Sequence, residues 1–348
     1  MSTTSRRRTA ILATVLAVAL MCSIPLAIGI GSASVSPGDT VRYLWLALTG
    51  GGITPDEIPD YQVVWQIRTP RVLLAAVVGG GLGAVGVAVQ AMVRNALADP
   101  FILGVSSGAS VGAVSVTVFG LLSAAGIYAV SLGAFLGALG ASVLVYLAAG
   151  SAATVTPLRL VLIGVAMSFG FQAVMSVIVY YIPGNEATST VLYWMMGSFG
   201  AAEWGMLPPV AFVICVGIVL LVTNSRGLDV LSLGDETAAS LGTDTRRLRR
   251  GLFALSAVMT GAMVAVSGAI AFVGLVIPHA VRLLVGAAHS TVLVLAPLLG
   301  AVFMVWVDLI SRVLVAPREL PLGVITALIG VPVFVILMRR GRYVFGGR

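Results

Sequence analysis

The stretch LDVLSLGDETAASLGTDTRRLRR, Leu228 to Arg250, decides how the rest of the chain is read. It is a polar island in a polypeptide that is otherwise almost continuously apolar. Its centre reads as a short helix with an acidic start. Ser232-x-x-Asp235 fits a capping box, Asp235 and Glu236 suit the positive end of a helix dipole, and Gly242 suits a stop. Ala238, Ala239 and Leu241 give it a small apolar face. A helix of about two turns is too short to stand alone, so its neighbours must hold it. A membrane chain has little reason to present such a helix, followed by a basic cluster, unless something soluble docks on it. The plain alternative is a solvated loop helix.

The surrounding composition sets the class. Of 348 residues, 59% are hydrophobic and 9% charged, with a mean hydropathy of +1.09. That places the chain among polytopic membrane proteins, outside the range of soluble domains. All 20 basic residues are Arg. Without lysine there is no Walker A phosphate loop and no Schiff-base chemistry. Cys22 and Cys215 lie in separate apolar runs and read as small core residues, with neither a disulfide nor a metal role. His279, in Val276-Ile277-Pro278-His279, has no companion ligand, so neither a metal nor a cofactor is expected. The net charge of +7 is read as membrane sidedness and not as a nucleic-acid surface.

A spanning helix needs roughly 20 apolar residues. On that scale the expected spans are residues 10–30, 72–93, 101–122, 127–149, 158–182, 207–223, 252–272, a short 273–286, 292–315 and 322–338, ten in all. Residues 191–200 are too few to cross and read as a helix dipping in from one side. Arg6, Arg7 and Arg8 resemble a signal-peptide n-region, but the apolar run is long and is read as an uncleaved first span. Arg339, Arg340, Arg342 and Arg348 mark the other tail. Both termini are therefore expected in the cytoplasm, with an even number of crossings. Alternation puts Arg94, Arg159, Arg246 to Arg250 and Arg282 on that side too. The opposite side takes Asp39, Asp56, Glu57, Asp60, Glu186 and Glu319, with only Arg42, Arg68, Arg71, Arg312 and Arg318 against the bias. No linker separates domains. Residues 1–348 read as one transmembrane domain, with a cytoplasmic loop at about 225–250.

Local motifs have structural readings of their own. In Arg94-Asn95-Ala96-Leu97-Ala98-Asp99-Pro100, Asn95 can end one helix, while Asp99 caps the next with Pro100 at its first position. Asp308 and Arg312, four apart, fit an ion pair within one helix. Arg68 and Arg71 flank Pro70 at a membrane entry, where snorkelling is the simple reading. A partner bearing carboxylates would also explain these outer arginines. Trp194 and Trp204 read as interfacial anchors. Gly79, Gly83, Gly133 and Gly137 form small-xxx-small pairs suited to close helix packing.

Several of these pieces, in this order, resemble the FecCD family, permease subunits of ATP-binding-cassette importers for iron-siderophore, haem and vitamin B12. The resemblance is carried by Arg68-Thr69-Pro70-Arg71, the run 79–90, RNALADPFILGVSSGA (94–109), YWMMGSFG (193–200), LGDETAASLG (233–242), FVGLVIPHAVR (272–282) and ELPLGVITALIGVPVF (319–334). It covers the chain closely from about Val63 onward and the first span loosely. It implies a type II importer fold of ten spans and a dimer of identical or related subunits. It also implies cytoplasmic ATPases and an external substrate-binding lipoprotein. By resemblance, Leu233, Gly234, Asp235, Glu236, Ala238, Ala239, Leu241 and Gly242 form the coupling helix that seats in the ATPase. Arg68, Arg71 and Arg312 match the arginines that receive the binding protein's glutamates. Asn95 and Leu97, with the turn from Ser151 to Leu158, match the cytoplasmic gate. Pro157 and Leu158 stand where the vitamin B12 permeases carry hydroxyl residues, and Ala96 replaces the family's usual Pro.

The resulting expectation is a cytoplasmic-membrane permease without catalytic residues, moving ferric siderophore at the expense of ATP hydrolysed by partner chains. Vitamin B12 and haem remain alternatives of the same class. An ion-coupled transporter would need a midplane ion site, and Asp308, toward one end beside Arg312, is the only deep acid. An intramembrane enzyme would need a catalytic cluster, and the spans show none.

Overall fold

A computed structural model describes residues 3–31, 34–150, 156–181 and 192–339. It is all-helical, without a strand among the described residues. In chain order the helices are α1 (Thr3–Gly29), α2 (Pro37–Thr49), α3 (Ile58–Tyr61), α4 (Thr69–Val93), α5 (Val105–Phe119), α6 (Ala129–Ala149) and α7 (Pro157–Tyr180). Then follow α8 (Leu207–Thr223), α9 (Ser225–Ser232), α10 (Asp235–Ser240), α11 (Thr245–Ser267), α12 (Val273–Val285), α13 (His289–Val313) and α14 (Leu322–Arg339). Among the described residues, six helices are long and apolar enough to cross a membrane. The pair α8–α9, bent by 60°, makes a seventh candidate, and α5, α12 and much of α14 are shorter apolar helices. Each expected span overlaps a helix among the described residues, with the one expected over 252–272 ending at Ser267 and the one over 101–122 ending at Phe119.

The centre of the bundle is α4. It is apolar on all faces and buried almost throughout, as such a helix must be. Its glycines set how closely its neighbours approach. A Cβ on Gly79 would stand 2.2 Å from the Gly300 carbonyl oxygen of α13, and one on Gly86 would stand 2.0 Å from that of Gly274 in α12. The α5–α6 pair uses the same device, with a Cβ on Gly112 falling 2.1 Å from the Gly133 oxygen. In lipid, which offers no hydrophobic drive between helices, such contacts hold the bundle together. By contrast, α1 and α7 leave much of their apolar surface exposed.

Two features have no counterpart among the expected elements. Residues 37–49 form α2, capped by Ser36, whose hydroxyl accepts from the Asp39 N–H at 3.1 Å. Helix α3 runs through a π-helical segment, Gln62–Arg68, directly into α4. Between α11 and α12 the chain breaks at residues 268–272, with Gly268 and Phe272 both at positive φ. A helical turn at residues 192–195 lies beside this break. The Met196 and Gly197 carbonyls accept from the N–H groups of Gly323 and Leu322, and Ser198 N–H donates to the Ser267 oxygen. Val191 lies outside the described residues. Cys22 and Cys215 are both free and exposed on helix faces. They are therefore not core residues: each sits on the side of its helix that no neighbour covers.

Candidate functional sites at the two ends of the bundle

Helix α4, with Arg71 in its first turn and Arg94 as its C-cap, separates two polar ends. At the basic end, the polar island is a helix–turn–helix–turn–helix. Leu228 and Leu231 anchor α9 in the core. Gly234 then adopts φ 105°, ψ 158°, a conformation open to glycine, and α10 begins. No side chain caps α10. The expected Ser232 capping box does not form, because the chain turns at Gly234 and the Ser232 hydroxyl donates to the Leu228 carbonyl within α9. Asp235 instead accepts an ion-paired hydrogen bond of 2.6 Å from Arg249, whose side chain is buried on α11. Arg94, the left-handed C-cap of α4, lies against Gly234: a Cβ there would meet its guanidinium at 3.1 Å. The far end closes as a Schellman turn, with Gly242 N–H donating to the Ala239 oxygen and Thr243 N–H to that of Ala238.

This arrangement sorts the expected coupling residues. Ala238 is fully buried against its own chain, whereas Glu236, Ala239 and Gly242 are exposed. Leu233 and Leu241, 59% and 60% exposed, project from either end of α10. Two large apolar side chains held in solvent on a short, fastened helix make a surface suited to a groove on another protein.

Other contacts at this end are hidden in the sequence. The Asp229 carboxylate of α9 accepts from the His289 backbone N–H at 3.0 Å and pairs with its Nδ1 at 2.6 Å, capping α13. Gln90 is fully buried, donates to the Gly274 and Leu275 carbonyls and accepts from Arg282. These bonds tie α9 to α13 and α4 to α12.

The turn after α4 forms much as expected. Asn95 Oδ1 accepts from the Leu97 N–H at 2.9 Å, and Asp99 caps the next turn through the Phe101 N–H at 2.9 Å. Asp99 also accepts from the Phe272 N–H, joining this loop to the break before α12. Burial outweighs these two bonds and raises its carboxyl to about 6. Asn95, Pro157 and Leu158 line one cleft of about 340 Å³ together with Arg94 and Thr156. Leu97 stands outside that lining and is half-buried. Pro157 is the first residue of α7, capped by the Thr156 hydroxyl. Residues 151–155 of the expected second gate turn lie outside the described residues.

At the opposite end, Arg68, Arg71 and Arg312 are drawn into the protein, each 6% exposed or less. Arg68 donates to the Ile28 and Gly29 carbonyls, both at 3.1 Å, and Arg312 to those of Ala27 at 2.8 Å and Ile30 at 3.0 Å. The unsatisfied carbonyls and negative dipole end of α1 are thus capped by two guanidiniums. Arg71 donates through Nε to Asp308 at 2.7 Å and through both terminal nitrogens to Glu319 at 2.7 and 2.9 Å. The expected Asp308–Arg312 pair is present at 3.0 Å. Asp308 is fully buried, while Glu319 remains partly open to solvent. Trp204 donates its indole N–H to the Trp65 carbonyl, and their rings pack 4.5 Å apart, which holds the next loop over this end.

A glycine-packed helical bundle with polar work at both ends is the frame of a membrane permease. A sequence profile of the FecCD transport family matches residues 16–340. The Fe(3+)-citrate import system permease protein YfmD of Bacillus subtilis is 34% identical over 90% of this chain and 90% of its own length. The hemin transport system permease protein HmuU of Yersinia pestis is 37% identical over 80% of this chain and 84% of its own. A solved structure described as an inward-facing conformation of an ABC transporter superposes with a TM-score of 0.81. It is 33% identical and covers 94% of this chain and 98% of that one. The chain belongs to the FecCD transport family. It is a permease subunit of a type II ATP-binding-cassette importer, a transport subunit and not an enzyme.

Proposed function

We propose that this subunit conducts ferric siderophore across the cytoplasmic membrane, driven by ATPase subunits that seat on α10. The observation that carries the mechanical part is the linkage at Gly234. Arg94, one residue before the gate turn, packs on the start of the exposed helix. Arg249 pins the same point through Asp235. A push on Leu233 and Leu241 therefore reaches the Asn95 turn through rigid elements. On this reading Asn95, Leu97, Pro157 and Leu158 close the cytoplasmic end, and an apolar constriction there excludes water by dewetting. The basic end faces the cytoplasm together with both termini.

Likeness to permeases named for Fe(3+)-citrate and hemin supports an iron-bearing cargo. Siderophore is the preferred reading, with haem and vitamin B12 as competitors. Arg68, Arg71 and Arg312 form the docking point for an external binding lipoprotein. Since Glu319 already occupies Arg71 in a bidentate pair, a partner carboxylate docks by displacing it. A second permease subunit, identical or related, covers the exposed apolar faces of α7 and α14, and lipid covers the remainder.

Uptake of radiolabelled iron by cells expressing the intact transporter tests the cargo. Competition by unlabelled ferric siderophore, with none by haem or vitamin B12, is expected. Competition by haem or vitamin B12 alone would reassign the cargo within the class.

A further inference from the structure

A second cleft at the basic end is lined by none of the residues assigned to the coupling helix or the gate. It occupies about 530 Å³ between α11 and the bend from α8 into α9. Leu220, Leu252 and Leu255 line its deeper part, and Asn224 and Arg247 stand at its rim. Arg247 and Leu255 are eight residues apart on α11, or about 12 Å along the axis. The cleft is therefore polar at Arg247 and apolar to a depth of about 12 Å, most of the hydrocarbon thickness of one leaflet.

The rim itself carries Arg247 beside Asp244, and the adjoining surface of α11 adds further cations. Arg246, Arg247 and Arg250 are exposed, and among the described residues none of their side chains has an ion pair. The acid at the rim, Asp244, is exposed and spends Oδ1 on the Arg247 backbone N–H at 3.0 Å.

The cleft lies on a different face of α11 from Arg249. Arg249 turns to Asp235 on α10. Arg247 precedes it by two residues, about 200° around the helix, and so points elsewhere. A soluble ATPase on α10 does not reach hydrocarbon depth on the other side of α11.

We propose that this cleft binds one anionic phospholipid from the leaflet at the basic end. The phosphate sits among Arg247 and its neighbours, and one acyl chain lies along Leu252 and Leu255. Basic pockets between spanning helices bind acidic headgroups in this way. The proposal is independent of the cargo and needs no partner chain.

The test uses the full chain reconstituted in equimolar phosphatidylglycerol and phosphatidylcholine of matched acyl chains. Tightly retained lipid is then counted by native mass spectrometry. Wild type is expected to retain phosphatidylglycerol about fivefold over phosphatidylcholine, and Arg247→Gln to lose most of that preference, at about one arginine's surface attraction. Gly251→Phe provides a steric arm: a Cβ there meets nothing within 4 Å, so a ring enters the cleft without an internal clash. It should lower retained phosphatidylglycerol with every arginine in place. Equal retention of the two lipids by wild type would overturn the proposal. So would unchanged retention in both variants, the mark of annular lipid only. If Gly251→Phe keeps its lipid but releases a co-expressed ATPase, the cleft is a protein-docking groove and the proposal falls.

Discussion

Changing Asp308 to Asn removes the charge that the opposite end is built around. Asp308 is fully buried and sits between Arg71 at 2.7 Å and Arg312 at 3.0 Å. In the wild type, two guanidiniums, Arg71 and Arg312, face two carboxylates, Asp308 and Glu319. In the variant they face Glu319 alone. Arg71 keeps its bidentate pair, but Arg312 is left with only the Ala27 and Ile30 carbonyls. Stranding a buried cation in this way costs about 3–5 kcal/mol. Glu319→Gln should cost only about 1 kcal/mol, because its carboxylate is partly solvated and Asp308 still serves Arg71. Reversible unfolding in mixed micelles measures both. The Asp308→Asn cost should shrink in an Arg312→Met background, where the stranded charge is gone. An Asp308→Asn variant within about 1 kcal/mol of wild type, or a Glu319→Gln variant at least as unstable, would refute this account of the cluster.

Further outcomes follow from the basic end. Ala239→Trp and Leu241→Asp should release the ATPase while leaving the thermal stability of the chain near wild type, because both side chains face solvent. Ala238→Trp should destabilise the chain itself by about 1–3 kcal/mol through overpacking. Co-purification together with melting curves separates the two effects. Asp99, raised by burial from 3.8 to about 6, folds more readily when protonated. Its contribution is fully present below pH 4 and lost as pH rises through 6, on the order of 2–3 kcal/mol. Asp99→Asn should therefore be more stable than wild type at pH 7.5 and equal to it near pH 4, and a pH-independent difference would contradict the assignment. Cysteines at Asn95 and Leu158, in a Cys22→Ala, Cys215→Ala background, should cross-link and stop uptake while the ATPase stays bound. Uptake through a fully cross-linked protein would place the gate elsewhere.

What is legible in the sequence is local. Apolar run lengths locate the helices, glycine spacing at Gly79 and Gly133 locates the tight packing, and Asp99-Pro100 locates a cap. The Asp308–Arg312 pair is legible because it spans one helical turn. Arg71 is not legible as its third member, since it lies 237 residues from Asp308 in the chain. The Asp229–His289 and Gln90–Arg282 contacts are invisible for the same reason: pairing across helices depends on tertiary packing and leaves no periodic trace. The Ser232 capping box fails because spacing alone does not report that Gly234 leaves helical space. Helix α2 escapes notice because it is too short to span and carries Asp39 and Arg42, so it gives no signal on the scale of a membrane crossing.

The central claim is that this chain is a conduit whose energy comes from ATP hydrolysed on partner subunits. Uptake into proteoliposomes containing the purified permease–ATPase complex tests it directly, with ferric siderophore and its binding lipoprotein supplied on one side and ATP on the other. The account predicts accumulation that requires ATP, withstands a protonophore and vanishes in the Leu241→Asp variant. Uptake that persists without the ATPase and collapses with the proton gradient would contradict it.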